Sequence, residues 1–175
     1  MCPEQVRGQA ARVRGWLRAG FAGALGGALA AYAAPLGDFG RLSAIAGDWQ
    51  ANGSKGKPFT VTYRLMSADT VLVETYGVGS GHETMTVFHP DQARVLATHY
   101  CAQGNQPRLA LQTAGPSRWV FAFLDATNLP DPSASHLVRL ELALTDAGHL
   151  VRIETYLEKG KEDVSRLELI RHPPS

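Results

Sequence analysis

Gly47-Asp48-Trp49 is where this chain changes character. Just before it, Asp38, Arg41, Leu42, Ile45 and Ala46 fall at helical spacing, with Asp38 placed to cap a short helix and Gly47 to stop it. After it the apolar period drops to two. Phe59, Val61, Tyr63 and Leu65 alternate with Thr60, Thr62 and Arg64. Val138, Leu140, Leu142 and Leu144 alternate with Arg139, Glu141 and Ala143, and Val151, Ile153, Thr155 and Leu157 alternate with Arg152, Glu154, Tyr156 and Glu158. Such alternation turns one face of a strand to a core or cavity and the other to water.

Turn chemistry separates these runs. Gly77 to Gly81, Pro90-Asp91, Gly115-Pro116, Asp146-Ala147-Gly148 and Lys159-Gly160-Lys161 each break the pattern. Two longer connections are expected, at Gly104-Asn105-Gln106-Pro107 and from Asn128 to Ser135. Many short, hairpin-linked antiparallel strands must hide their edges, and closing the sheet on itself does so completely. The expected fold is all-β: an up-and-down antiparallel barrel of about eight to ten strands, wide enough for a small ligand, with a short helix before the first strand.

The chain of 175 residues suits one domain, and its 45% hydrophobic and 19% charged content is globular rather than disordered. Arg7, Arg12, Arg14 and Arg18 lie near the start against Glu4 alone, and an apolar small-residue run from Ala19 to Ala34 follows, with Ala31-Tyr32-Ala33 at its end. A positive region, a short apolar region and small residues at a cleavage point are the layout of a secretory signal. Residues 1–33 are therefore expected to be a signal peptide and 34–175 the barrel domain. The product is expected to be exported, periplasmic or secreted, with no stable membrane span after cleavage. Beyond the basic start no Lys/Arg stripe remains, which argues against a nucleic-acid partner. Of the two cysteines, Cys2 leaves with the signal and Cys101 remains alone, so no disulfide within the chain is expected.

The polar segment from His99 to Arg108 is the leading site candidate. On a strand, His99 and Cys101 point the same way and form a polar station facing the cavity. Asn105, Gln106 and Arg108, read as a tight loop, line the mouth and select ligands by hydrogen bonding. Glu83 is placed as a buried partner of His99, which would raise the imidazole pKa. Trp119, Phe121 and Phe123 share a face as core packing or a cavity wall. Glu154 and Glu158 read as solvated. Nucleophilic catalysis would need Cys101 or a serine with a base in reach, and no Gly-x-Ser-x-Gly, phosphate loop or His-Glu-x-x-His occurs.

Gly47 and Trp49 at the entrance of the first strand, the short helix before them and Arg171 at the end of the last strand resemble the lipocalin and calycin superfamily. That resemblance implies barrel closure by Gly47, Trp49 and Arg171, the guanidinium packing across the indole. His82-Glu83-Thr84-Met85-Thr86-Val87-Phe88-His89, Thr98-His99-Tyr100-Cys101, Gly104-Asn105-Gln106-Pro107-Arg108 and Thr127-Asn128-Leu129 ahead of His136 are similar to a group of bacterial lipocalin-like proteins of undefined activity. That group often has a His-x-His pair at the last site, where this chain has His136 and Val138. The expected function is binding of a small apolar or amphipathic ligand in the interior by His99, Cys101, Glu83, Asn105, Gln106, Arg108 and His136, with no cofactor or metal. Three alternatives stand beside it: a metal- or haem-associated barrel using His99, Cys101 and His136, a small hydrolase-like enzyme using Cys101 and His99, and a barrel with a filled interior and an interaction role on its surface.

Overall fold

The computed structural model describes residues 37–52 and 58–172; the signal segment expected over 1–33 lies outside them. α1 (Asp38–Leu42) runs into a 3-10 turn (Ser43–Ile45). Ten strands follow: β1 (Gly47–Asn52), β2 (Pro58–Met66), β3 (Val71–Tyr76), β4 (Thr84–Asp91), β5 (Arg94–Tyr100), β6 (Gln106–Ala114), β7 (Arg118–Thr127), β8 (His136–Asp146), β9 (His149–Glu158) and β10 (Lys161–Arg171). Each is antiparallel to its neighbours in sequence, and β10 returns to β1 to close the barrel. Among the described residues the register pairs of the closing ladder are Trp49 with Arg171 and Gln50 with Ile170.

Asp38 does not cap the helix. Gly37 occupies that position without a side-chain bond, and the Asp38 carboxylate instead pairs with Arg41 one turn on. The helix and turn lie against the end of the barrel where β1 begins and where the turns after β2, β4, β6 and β8 also fall. Trp49 is fully buried there, its Nε1 donating to the Ile45 carbonyl at 2.8 Å. The Arg171 guanidinium lies 4.2 Å from the Trp49 ring centre and donates to the carbonyls of Ala44, Ala46 and Ala147 at 3.1, 2.8 and 2.8 Å. One side chain thus ties the helix, β1 and the β8–β9 turn together through a cation–π contact and three bonds. Gly47 makes room for it: its φ is +140°, and a Cβ there would sit 2.6 Å from Arg171 Nη1.

Inside, Leu42, Ile45, Trp49, Val61, Leu72, Phe88, Leu109, Phe121, Leu140, Leu142 and Leu150 form one buried cluster. β2 turns Val61 and Tyr63 inward as its alternation predicts. β9 does the opposite. Leu150 and Arg152 are its buried residues near the start, while Val151 and Ile153 are only partly covered. In β8 an irregularity between Leu137 and Arg139 shifts the phase, so Leu137, Leu140 and Leu142 are buried and Val138 is not.

Candidate functional site

The inward positions of five strands carry polar groups at the middle of the barrel. Glu74 follows Leu72 inward on β3, Thr86 precedes Phe88 on β4, His99 follows Ala97 on β5, Tyr63 follows Val61 on β2, and Arg152 follows Leu150 on β9; all are buried. Glu74 is the hub. It accepts from Tyr63 Oη at 2.6 Å, from Thr86 Oγ1 at 3.0 Å, and from Arg152 Nε and Nη2 at 3.0 and 2.8 Å. Arg152 also holds Glu154 with both terminal nitrogens, at 2.9 and 2.8 Å, and its guanidinium lies 5.1 Å from the Tyr76 ring centre. A buried guanidinium is thus gripped by two carboxylates, the arrangement in which a charge is tolerated away from water.

The bonding fixes the protons. An ionised Glu74 only accepts, so the single Thr86 proton goes to it, and His99 Nδ1 must then donate to Thr86 Oγ1 across 3.0 Å. Burial is the main reason the His99 pKa falls below its ordinary 6.5; the nearby Glu154 and Glu74 charges work against that fall, and Arg152 assists it. With a neutral ring, Nε2 accepts from Tyr156 Oη at 3.1 Å. The Cys101 thiol then donates weakly to Tyr156 Oη at 4.0 Å. Burial raises the Glu74 pKa, but the Arg152 charge and hydrogen bonds outweigh it and leave it lowered. Burial and then the Glu154 charge push Tyr156 far up, so its phenol stays protonated.

Of the residues expected at the site, His99 and Cys101 do share a face and do reach a common partner, Tyr156. Each meets the Tyr156 hydroxyl, and among the described residues no hydrogen bond joins His99 to Cys101 directly. Glu83 is not the partner of His99. It is exposed in the β3–β4 loop and accepts from the Gly79 amide at 2.7 Å. The inward face of β4 is the one carrying Thr86 and Phe88, and Glu83 has the other parity; Glu74 and Glu154 are the carboxylates whose charges act on the ring, whose pKa falls rather than rises. Gln106 and Arg108 belong to β6 rather than to a loop. Pro107 and Leu109 take its inward positions, which sends Arg108 out to an exposed pair with Asp125 and Gln106 to Thr127 and the Gly104 carbonyl. Asn105 is buried and donates from Nδ2 to the Ser135 carbonyl at 2.9 Å. His136 is buried at the start of β8, its Nδ1 2.7 Å from the Ala134 carbonyl and its ring 5.0 Å from that of Phe123. Among the described residues no three His, Cys, Asp or Glu side chains are grouped to hold a metal ion, so His99, Cys101 and His136 do not assemble a ligand set.

Tyr63, Glu74, Thr86, Arg152, Glu154 and Tyr156 are absent from that expectation. Glu74 had a legible signal: it shares parity with Leu72 and directly follows the apolar run Val71-Leu72-Val73. Glu154, read as solvated, is held by Arg152. Above this network Phe59, Tyr76 and Tyr156 are only partly covered and pack on the core, with Phe59 edge-on to Tyr76 at 5.1 Å. They lie toward the end opposite Trp49, where β1 ends and β2 begins. Trp119 and Phe121 are buried, but Phe123 beyond them is 39% exposed. A separate hollow of about 590 Å³ lies at the Trp49 end, between α1 and the turns after β2 and β4, and Phe39, Leu65, Pro90 and Val95 are among its lining residues. It contains none of the network.

Fold and site together define a closed ten-stranded antiparallel barrel with an ionic network buried beneath an aromatic rim. No protein-family model matches the chain, and no curated protein matches it.

Proposed function

We propose that the protein is an exported, lipocalin-like barrel that takes a small, partly apolar molecule into the end opposite Trp49. The observation that carries this reading is the make-up of that end. Part-covered Phe59, Tyr76 and Tyr156 stand over a fixed polar floor of Tyr63, Glu74, Thr86, His99 and Arg152. Apolar walls with a few oriented polar groups are the usual composition of a small-molecule site. Burial of about 200 Å² of apolar ligand surface contributes roughly 5 kcal/mol before losses. Micromolar affinity, about 8 kcal/mol, then needs good polar contacts. Cys101, Asn105 and His136 belong to the same end and are the other groups available to orient a ligand.

Native mass spectrometry of the protein purified from the periplasm of its own source tests this. A reproducible added mass that leaves on denaturation supports the reading. A bare mass, together with no saturable binding of a fluorescent apolar probe, removes it. The same sample tests export: its amino terminus is expected near residue 34, and an intact Met1 would contradict processing.

A further inference from the structure

Resting on interior binding as just argued, we propose that the ligand is an organic ammonium, its N–H groups bonded to Glu154 and its alkyl part lying among Phe59, Tyr76 and Tyr156. The first argument is charge. Among the described residues the ionic groups of the network are Arg152, Glu74 and Glu154, which leaves one negative charge in surplus. Glu74 is saturated, with four bonds accepted. Arg152 is 1% exposed and divided between the two carboxylates, so it has nothing to offer an incoming anion. Glu154 accepts only from Arg152 and keeps unused lone pairs on a side chain 12% exposed. The surplus charge therefore resides where a ligand can meet it, in surroundings where water screens it poorly.

The second argument is the rings. Tyr156 follows Glu154 by two residues on β9, and the Arg152 guanidinium that holds Glu154 also lies against the Tyr76 ring, which sets that charge near both rings. A carboxylate beside part-covered aromatic side chains suits an ammonium, which gains from both the charge and the ring faces. Arg152 already makes such a contact with Tyr76 from below.

The third argument is independent of the acids. Asn105 is 3% exposed, and its Oδ1 has no hydrogen-bond partner among the described residues. Its Nδ2 is committed to Ser135, which fixes the orientation of the amide. Asn105 has the inward parity of Pro107 and Leu109, and its backbone carbonyl accepts from the Cys101 amide, whose thiol adjoins Tyr156. A buried acceptor without a partner costs free energy, and a ligand donor that reached it would relieve that cost.

Calorimetric titration of the whole protein at pH 7 with octylamine, octan-1-ol and octanoate separates the possibilities, since the three share a tail and differ in head group. Octylamine is expected to bind at least about tenfold tighter than the alcohol, with octanoate weakest. Glu154→Gln should bring the amine down to the level of the alcohol, whereas Asp125→Asn, on the outer surface, should leave it unchanged. The order of the three in the unaltered protein stands whether or not the Glu154 variant folds. Equal binding of amine and alcohol, or tighter binding of octanoate, overturns the ammonium while leaving interior binding in place. Failure of all three to bind overturns both.

Discussion

Arg152 and Glu74 are held by what surrounds them rather than by each other alone. Removing one partner of a buried pair leaves a charge and several hydrogen-bonding groups with nowhere to turn. Glu74→Leu leaves Tyr63, Thr86 and half of the Arg152 guanidinium without their acceptor, and is expected to cost about 3–5 kcal/mol in urea unfolding. His99 adds a dependence on pH. Burial holds its folded pKa below 6.5, so in the interval between the folded and unfolded values the unfolded chain binds the proton and the fold does not. The stability conferred by the neutral ring is full above about pH 6.5 and is lost as pH falls through the folded value. Urea midpoints should therefore drop over that interval, and His99→Gln should flatten the drop there. In nitrogen-correlated NMR at pH 7 the His99 ring should carry its proton on Nδ1; a proton on Nε2 would break the bonding chain from Tyr156 to Glu74.

At the level of strands and turns, the closing end tests most simply. Gly47→Ala places a methyl group on the Arg171 guanidinium in a backbone region that L residues avoid, at an expected cost of about 1–3 kcal/mol. Arg171→Lys keeps the charge but not the fork that reaches Ala44, Ala46 and Ala147, and should cost about 1–2 kcal/mol. Thermal melts of both variants, with far-UV dichroism to verify the barrel, measure this. The strands were legible from residues because period two and turn residues are local properties: β2 reads inward at Val61 and Tyr63 from its sequence alone. β9 was not. Val151 and Ile153 mark the apolar face of an isolated strand, but this barrel interior is partly ionic, and Arg152 enters it because Glu74, 78 positions earlier, is there to receive it. No local pattern reports a partner so distant. The phase of β8 was hidden for a related reason, since an irregularity at Leu137 moves the inward face by one residue. Gln106 and Arg108 were misread through a different cause: glycine and proline around them suggested a loop, yet Pro107 occupies an inward position of β6.

Across the whole molecule one ladder is confined to the Trp49 end, that between β7 and β8. β7 pairs with β8 only from Arg118 to Ala122, so Phe123–Thr127 and the start of β8 diverge, and the rings of Phe123 and His136 bridge the space between them. This divergence leaves that side of the mouth with fewer backbone bonds to hold it. Phe123→Ala is expected to speed ligand release more than it changes unfolding free energy, as read by stopped-flow displacement beside urea titration; equal effects on both would assign Phe123 to packing alone. The ring closes through Trp49–Arg171 and Gln50–Ile170, while β10 keeps its ladder to β9 from Lys161 to Ile170. From Lys161 to Glu168 one margin of β10 therefore has no β1 residue in register among those described. Where such a margin is open it is a template for a neighbouring molecule, and Lys161, Glu162, Asp163, Arg166 and Glu168 place mixed charge along it that a second copy would have to match or desolvate. Added salt weakens that guard, so light scattering should record more self-association at molar salt than in dilute buffer, and neutralising those five positions should produce it without salt.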